Sequence, residues 1–216
     1  MVSAISFAEL SSELREGELH DFDRLVSEAV TGSRGSLDFP MYWLTRLGDG
    51  ATLTAIVVLA TLVLALVKQR REAAFLVFAG TGAGIWSFLL KQLFQRDRPE
   101  ATELYVISTP SSFSFPSGHA FGSTAVLLSL VLVARALGVR GARLAALGAF
   151  ALLLAAGVAT SRVYFGVHFP SDVVGGVFAG AAWIALLTGF FYPAALPGER
   201  AKQPLDEPVT SDGAPE

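Results

Sequence analysis

Long stretches without a charged residue constrain the fold of this sequence more than any other feature. Four of them cover residues 50–67, 73–90, 144–161 and 173–198. A fifth, 104–134, also lacks Asp, Glu, Lys and Arg, and His119 is its one residue that can become positively charged near neutral pH. A helix that crosses a bilayer needs roughly 20 apolar residues, so each stretch can supply one such helix.

The overall composition supports the same interpretation. Only 16% of the 216 residues are charged and 52% are hydrophobic, whereas soluble domains carry about 25% charged residues. A soluble protein with five buried helices is therefore rejected. We predict an all-α integral membrane bundle with about five transmembrane helices, near residues 50–67, 73–94, 119–137, 143–161 and 172–193. Cysteine is absent, which excludes disulfides and thiolate metal sites.

Basic residues between these helices predict the orientation. They cluster at three places that share one side of the membrane if the helices alternate: Lys68, Arg70 and Arg71; Arg135, Arg140 and Arg143; Arg200 and Lys202. Because basic loops stay in the cytoplasm, this side is predicted to be cytoplasmic. The expected location is the inner (plasma) membrane, with several spans and an outer N-terminus.

The two ends of the chain differ from its centre. Residues 1–49 are predicted to form an extracytoplasmic amphipathic or interfacial segment, with one or two helices that end near Thr31. Its apolar positions at helical spacing are Phe7, Leu10 and Leu14, and then Phe22, Leu25, Val26 and Ala29. The aromatics of residues 39–44 suit a membrane interface. Residues 50–196 are predicted to be the transmembrane domain, and 197–216 a disordered cytoplasmic tail.

Polar residues lie at one end of four predicted helices. Alternation of the helices places on one membrane face the end of the second, the start of the third, the end of the fourth and the start of the fifth. The polar residues at these places are Lys91, Arg98, Ser117, Gly118, His119, Arg162, His168 and Asp172. We therefore expect them to converge on one site.

The chemistry of these residues suits a phosphate group. Lys91, Arg98 and Arg162 supply positive charge, and arginine binds phosphate oxygens in pairs. The turn at Ser117 and Gly118 opens a helix, whose N-terminal N–H groups bind anions. The histidines and Asp172 supply nucleophilic and acid–base groups. Arg96 and Asp97 are interpreted as solvated loop charges.

Each residue also has an ordinary structural interpretation. Lys91 could extend to the interface, the two arginines could be loop cations, His119 could cap or pack, Ser117 could belong to a turn and Asp172 could cap a helix. These alternatives do not explain why the groups share one face. A bound metal is disfavoured because three cations would repel a dication and few anionic ligands are present. No metal and no cofactor are therefore expected.

Three short motifs carry a family resemblance. They are Lys91 followed after six residues by Arg98-Pro99, then Pro116-Ser117-Gly118-His119, then Ser161-Arg162 with His168 and Asp172. Together they resemble the three-part signature of type 2 phosphatidic acid phosphatases, which are related in their active site to vanadium haloperoxidases. Bacterial members usually resemble six-helix proteins, and the helix that this chain lacks would precede residue 20.

The resemblance implies a role for each residue. His168 would attack phosphorus and form a phosphohistidine, Asp172 would orient its ring, and His119 would protonate the leaving oxygen. The five residues that would hold the phosphate are Lys91, Arg98, Ser117, Gly118 and Arg162.

The first functional hypothesis is a metal-independent lipid phosphatase that acts outside the cytoplasm on a phosphomonoester or pyrophosphate. Undecaprenyl pyrophosphate is the first candidate substrate, followed by phosphatidylglycerol phosphate and phosphatidate. The alternatives are a vanadate-dependent haloperoxidase and a non-catalytic lipid-phosphate binding or transport protein. Membrane lipids are the expected partners and nucleic acid is not; the sequence does not predict an oligomeric state.

Overall fold

A computed structural model of the chain describes residues 2–16, 19–32, 34–99 and 111–193. The predicted tail, 197–216, lies outside the described residues, and so does the side chain of Leu14.

The described residues fold mainly into α-helices, which confirms the all-α prediction. The helices are α1 (Val2–Glu16), α2 (His20–Thr31), α3 (Asp38–Leu47), α4 (Gly50–Leu66), α5 (Arg70–Phe94), α6 (Gly118–Ala136), α7 (Gly141–Tyr164) and α8 (Pro170–Phe191).

Five candidate membrane spans follow from these helices. Helices α5 to α8 are each long and apolar enough to cross a bilayer. Helix α4 has only 17 residues, but α3 and α4 pass the same test as one span with a 51° bend. The prediction of about five spans is confirmed, and the aromatics of residues 39–44 belong to the bent one.

Glycine at the bend between α3 and α4 allows the chain to pass close to α6 and α7. A Cβ atom on Gly48 would lie 2.3 Å from Val158 Cγ1 and 3.0 Å from His119 Cδ2. The first distance is too short for any side chain. The bend therefore places the start of α4 beside His119.

Helix α6 lies at the centre of the bundle and packs against α5, α7 and α8. Its approach to α8 depends on Gly176 and Gly180, where a Cβ atom would lie 2.6 Å from the Ser117 carbonyl oxygen and 2.8 Å from that of Phe121. Small residues four apart let membrane helices come this close. As a result, the Ser117 N–H donates to the Asp172 carbonyl oxygen at 2.9 Å, and the starts of α6 and α8 are held together.

Helix α1 packs over the bundle, mainly against α8. The Phe7 ring stacks on Phe115 with centroids 5.9 Å apart, and Leu10 Cδ2 comes within 3.5 Å of where a Gly175 Cβ would be. Phe7 and Leu10, two of the apolar positions at helical spacing, therefore face the bundle. A helix thus precedes residue 20, although it is not among the candidate spans.

Helix α2 ends at Thr31 as predicted, but most of its apolar positions at helical spacing do not face the bundle. Phe22 and Leu25 are 43% and 58% exposed, whereas Asp23 is 3% exposed. The face turned toward the bundle carries Leu19, Asp23, Val26 and Val30. Helix α2 turns this face to the bundle because Asp23 accepts hydrogen bonds there from Arg96 and Ser171. A buried carboxylate needs such partners.

Candidate active site

His168 lies in the short loop between α7 and α8 and is 3% exposed. Its Nδ1 is 3.3 Å from Asp172 Oδ2, and its Nε2 is 3.2 Å from Arg98 Nη1. An ionised carboxylate can only accept a hydrogen bond and a guanidinium can only donate one. The contacts therefore assign the proton to Nδ1 and leave a lone pair on Nε2, as an attacking nitrogen requires.

The surroundings of His168 favour its neutral form. Burial lowers the pKa of His168 to about 3; Asp172 acts in the opposite direction, and the charges of Arg98 and Lys91 add to the lowering. Because this value is far below the ordinary pKa of about 6.5, the imidazole is neutral near pH 7. The sequence alone does not show whether the Asp172 carboxylate, which raises the pKa of His168, or burial and the cations, which lower it, have the larger effect.

Asp172 is fully buried in the first turn of α8. Its Oδ2 accepts the Phe169 N–H at 2.9 Å and also a hydrogen bond from the Ser114 hydroxyl. Its Oδ1 accepts from Arg96 Nη1 at 2.5 Å. Asp172 thus both caps the start of α8 and contacts His168, so the structural and functional interpretations hold together.

Three cations lie close enough together at this end of the bundle for their charges to act on one another. Lys91 Nζ donates to the Phe113 carbonyl oxygen at 2.5 Å, and Arg98 Nη1 donates to that of Val167 at 2.6 Å. Burial lowers the pKa of Arg98. Arg162 is 3% exposed and donates to Thr45 Oγ1 at 2.5 Å. Within the described part of the chain, none of the three cations forms an ion pair, which leaves their charge for an anion.

Two buried polar atoms point to the same conclusion. Ser117 Oγ and Arg162 Nε have no hydrogen-bond partner among the described residues. Buried polar atoms in proteins are nearly always paired, so an unpaired one requires an explanation. Ser117 is the N-cap of α6 and Gly118 is its first residue. A tetrahedral oxyanion here would meet buried donors and the positive end of a helix.

His119 lies in the first turn of α6 and faces Asp49, the residue that precedes α4. Its Nε2 is 3.0 Å from Asp49 Oδ1, and Asp49 Oδ2 accepts from Arg46 Nη1 at 3.0 Å. Arg162 and Arg98 lie close enough to His119 for their charges to act on it. His119 is therefore part of the same charged site as His168, with a carboxylate of its own.

A largely apolar cavity of about 530 Å³ extends from His119 into the bundle. It runs between α4, α5 and α6, and Ser87 and Gly118 lie at the same end as His119. Its walls farther along are apolar or small residues, among them Leu53, Val57, Val77, Gly84, Gly122 and Val126. We call this cavity the apolar groove. His119 thus lies between the cationic site and a space that suits a hydrocarbon chain.

The structure brings all eight predicted site residues to the predicted end of the bundle, and it corrects one prediction. Arg96 is not a solvated loop charge, because its guanidinium contacts Asp172, Ser171 and Asp23. Asp97 is exposed as expected. Sequence reasoning also missed four residues that contact either a site residue or Arg96, namely Asp23, Thr45, Asp49 and Ser114.

One of these omissions had a signal in the sequence. Asp23 shares a helical face with Leu19, Val26 and Val30, at spacings of three, four and seven residues. A carboxylate in an apolar stripe is an indication of a buried partner. The other three lie in loops or at helix ends, where no periodic pattern marks a buried side chain.

Comparison with known proteins decides the family. The sequence matches the model of the PAP2 superfamily over residues 72–195, more than half of the chain. The chain belongs to the PAP2 superfamily. The match includes the predicted site residues, from Lys91 to Asp172.

Similar PAP2 proteins are named as phosphatases. The chain is 40% identical to decaprenylphosphoryl-5-phosphoribose phosphatase of Mycobacterium tuberculosis over 55% of its own length and 60% of that protein. It thus spans less than two thirds of that relative. It is 27% identical to phosphatidylglycerophosphatase B of Bacillus subtilis over 85% of this chain and 90% of that one.

A solved structure has the same fold. The crystal structure of a transmembrane PAP2-type phosphatidylglycerolphosphate phosphatase from Bacillus subtilis superposes with a TM-score of 0.79 and 25% identity. The match covers 88% of this chain and 94% of that chain. The helical bundle of this chain is therefore that of a transmembrane PAP2 protein.

Proposed function

We propose that this PAP2 protein is a metal-independent lipid phosphatase that cleaves a phosphomonoester or pyrophosphate through a phosphohistidine on His168. One observation carries the proposal. A neutral histidine, with its lone pair on Nε2, contacts the half-buried Arg98, and the charges of buried Lys91 and Arg162 lie close by. None of these cations has a carboxylate partner in the described chain. Such a site stabilises the charge that develops on the oxygens of a transferred phosphoryl group.

The proposed reaction has two steps. His168 Nε2 attacks phosphorus and the bond to the leaving oxygen breaks, while His119 donates a proton to that oxygen. Water then attacks the phosphohistidine, His119 accepts a proton from the water, and phosphate leaves as His168 regains its lone pair. Lys91, Arg98 and Arg162 would hold the phosphoryl oxygens, together with Ser117 and the N–H groups that open α6 at Gly118.

The apolar groove supports a lipid as the substrate. Because the groove begins at His119, the proposed donor to the leaving oxygen, the hydrocarbon chain of the leaving group would extend into it. Names of similar proteins include a phosphorylated decaprenyl lipid and phosphatidylglycerophosphate. Undecaprenyl pyrophosphate remains the first candidate, with phosphatidylglycerol phosphate and phosphatidate as the others.

The proposed orientation places the site outside the cytoplasm, in the inner (plasma) membrane. Arg135, Arg140 and Arg143 lie at the opposite end of α6 and α7 from His119 and Arg162, and basic loops favour the cytoplasm. Single cysteines can test the orientation. An impermeant thiol reagent should label a cysteine that replaces the exposed Ser111 in intact cells. A cysteine that replaces Val139 should be labelled only after lysis. The reverse pattern would place the site in the cytoplasm.

Phosphate release by purified protein tests the function. The full chain in detergent should release phosphate from at least one of the three lipids in excess EDTA, and vanadate should inhibit by mimicking five-coordinate phosphorus. Halide oxidation with vanadate would instead indicate a haloperoxidase, although the membrane spans disfavour that function. Binding of lipid phosphate without release would indicate a transport or binding protein. Activity that EDTA abolishes and magnesium restores would contradict the metal-free mechanism.

Filling the apolar groove should distinguish lipid from soluble substrates. Gly84 lines the groove, and a Cβ atom there would meet nothing within 4 Å. A Gly84→Leu substitution should therefore fold and raise KM for the long-chain lipid by about tenfold, because several CH₂ groups lose burial worth about 0.8 kcal/mol each. The KM for a short soluble phosphate ester should stay within twofold.

Gly148 in α7 provides the matched control, since it is equally free of neighbours within 4 Å but does not line the groove. Gly148→Leu should leave both KM values unchanged. Equal effects of the two substitutions on the lipid, or no effect of Gly84→Leu, would mean that the groove does not hold the substrate chain.

A further inference from the structure

A series of contacting side chains with alternating charge connects the N-terminal segment to His168. Asp23 of α2 is 3% exposed and Asp172 of α8 is fully buried, and Arg96 lies between them. Arg96 Nη2 donates to Asp23 Oδ2 at 2.7 Å, and Arg96 Nη1 donates to Asp172 Oδ1 at 2.5 Å. The other oxygen of Asp172 contacts His168 Nδ1 at 3.3 Å.

The guanidinium of Arg96 is fixed from several directions. Its Nη1 also donates to Ser171 Oγ at 2.7 Å, and its Cζ lies 4.3 Å from the centroid of the Phe169 ring. Ser171 in turn donates to Asp23 from its backbone N–H at 2.8 Å and from its hydroxyl at 2.7 Å. Charge-assisted bonds of this kind hold both position and orientation.

Each charged group in this series is compensated by its neighbour. Without Arg96, Asp23 and Asp172 would be buried carboxylates with less compensation, which is strongly unfavourable. Without Asp23, Arg96 would lose the partner that holds its second amino group. The arrangement is costly to bury and lies next to the proposed nucleophile, which favours a role beyond packing.

We propose that Arg96 and Asp23 are positioning residues for the reaction, which hold the Asp172 carboxylate in the orientation that aligns His168. The inference rests on the proposed function, and it assigns to helix α2 a part in the active site. Neither residue contacts the phosphoryl group in this account. They act only through Asp172, and Asp23 acts only through Arg96.

The acid side of the pH profile provides one readout that loss of packing alone would not give. Three charged groups act directly on His168: Asp172 of α8, Lys91 of α5 and Arg98 of the loop after α5. Beyond Asp172 lie Arg96 of the same loop and Asp23 of α2. Beyond Arg98 lie Arg162 of α7 and His119 of α6. Removal of the Arg96 cation leaves the Asp172 charge less compensated and raises the pKa of His168. A larger fraction is then protonated at a given acidic pH, so the acid limb should move to higher pH.

Steady-state kinetics of the full chain in detergent test the inference. Arg96→Gln should lower kcat about 10²-fold, a loss that a misplacement of about 1 Å can cause, while KM changes less than about threefold. Asp23→Asn should lower kcat about tenfold without moving the acid limb upward. Arg96→Lys should restore part of the activity. If Arg96→Gln does not fold, Arg96→Lys and Asp23→Asn carry the test.

The double variant Asp23→Asn/Arg96→Gln separates a relay from two independent effects. If Asp23 acts only through Arg96, the double variant should be no slower than Arg96→Gln alone, whereas independent effects would multiply. Asp21→Asn is the matched control: Asp21 lies on the same helix, and its side chain is 81% exposed. That variant should keep wild-type kcat.

The outcomes distinguish this inference from the proposed function. Folded Arg96 and Asp23 variants with kcat within twofold of wild type would overturn the inference alone, as would multiplicative losses with an unchanged acid limb. Absence of phosphate release from the wild type and from Asp21→Asn would overturn the proposed function. Full activity of His168→Ala would overturn the phosphohistidine step.

Discussion

Replacement of His168 by alanine is expected to abolish phosphate release, with turnover at least about 10⁴-fold below wild type. Loss of a nucleophile leaves only binding and electrostatic stabilisation, and effects of this size are usual for such residues. The measurement is lipid phosphate hydrolysis by purified protein of verified folding. A new cavity beside Asp172 is the main structural risk, so His168→Gln, which keeps more of the volume, should be measured in parallel.

The third histidine of the chain supplies the control. His20 is exposed at the start of α2, and His20→Ala should keep wild-type activity. Near-normal turnover by folded His168→Ala protein would exclude the phosphohistidine mechanism, whatever the behaviour of the other variants.

Replacement of His119 by alanine should lower turnover by about 10²–10⁴-fold, the usual contribution of a general acid. The loss should depend on the leaving group. The alkoxide released from a lipid phosphomonoester is a poor leaving group and needs the proton, whereas a nitrophenolate needs little assistance. The measurement compares kcat for a lipid phosphate and for a nitrophenyl phosphate in wild type and in the variant.

Asp49 provides a second readout for the same role. Its carboxylate lies 3.0 Å from His119 Nε2, so Asp49→Asn should give a smaller loss with the same dependence on the leaving group. An equal loss on good and poor leaving groups would show that His119 is not the acid and would fit a phosphate-binding donor at the start of α6.

The main features of the fold could be predicted because a bilayer limits the possible structures. Charge-free stretches of sufficient length indicate spans, and the alternation of spans places Lys91, His119, Arg162 and His168 on one face without any contact being known. The bend at Gly48 was not predicted, since it depends on the close approach of Val158. Local sequence does not encode such a tertiary contact.

The partners of the site residues were harder to predict than the residues themselves. Arg96 and Arg98 are two positions apart in one loop, and sequence alone gave no reason to expect that both contact the site. Arg96 differs from Arg98 in its partners because α2 brings Asp23 into contact with it. Asp23 also contacts Ser171, which lies 148 positions away in the sequence. The orientation of α2 depends on this buried ion pair, and a hydrophobic pattern alone does not show which face of a helix meets the bundle.

Capture of the covalent intermediate tests the central claim most directly. Wild-type protein mixed with ³²P-labelled lipid phosphate and quenched in alkali within milliseconds should carry label that is stable to base and labile to acid, as a phosphoramidate is. Peptide mapping should place the label on His168, and His168→Ala should carry none. Efficient release of phosphate with no labelled protein at any quench time, or label on a residue other than His168, would contradict the account.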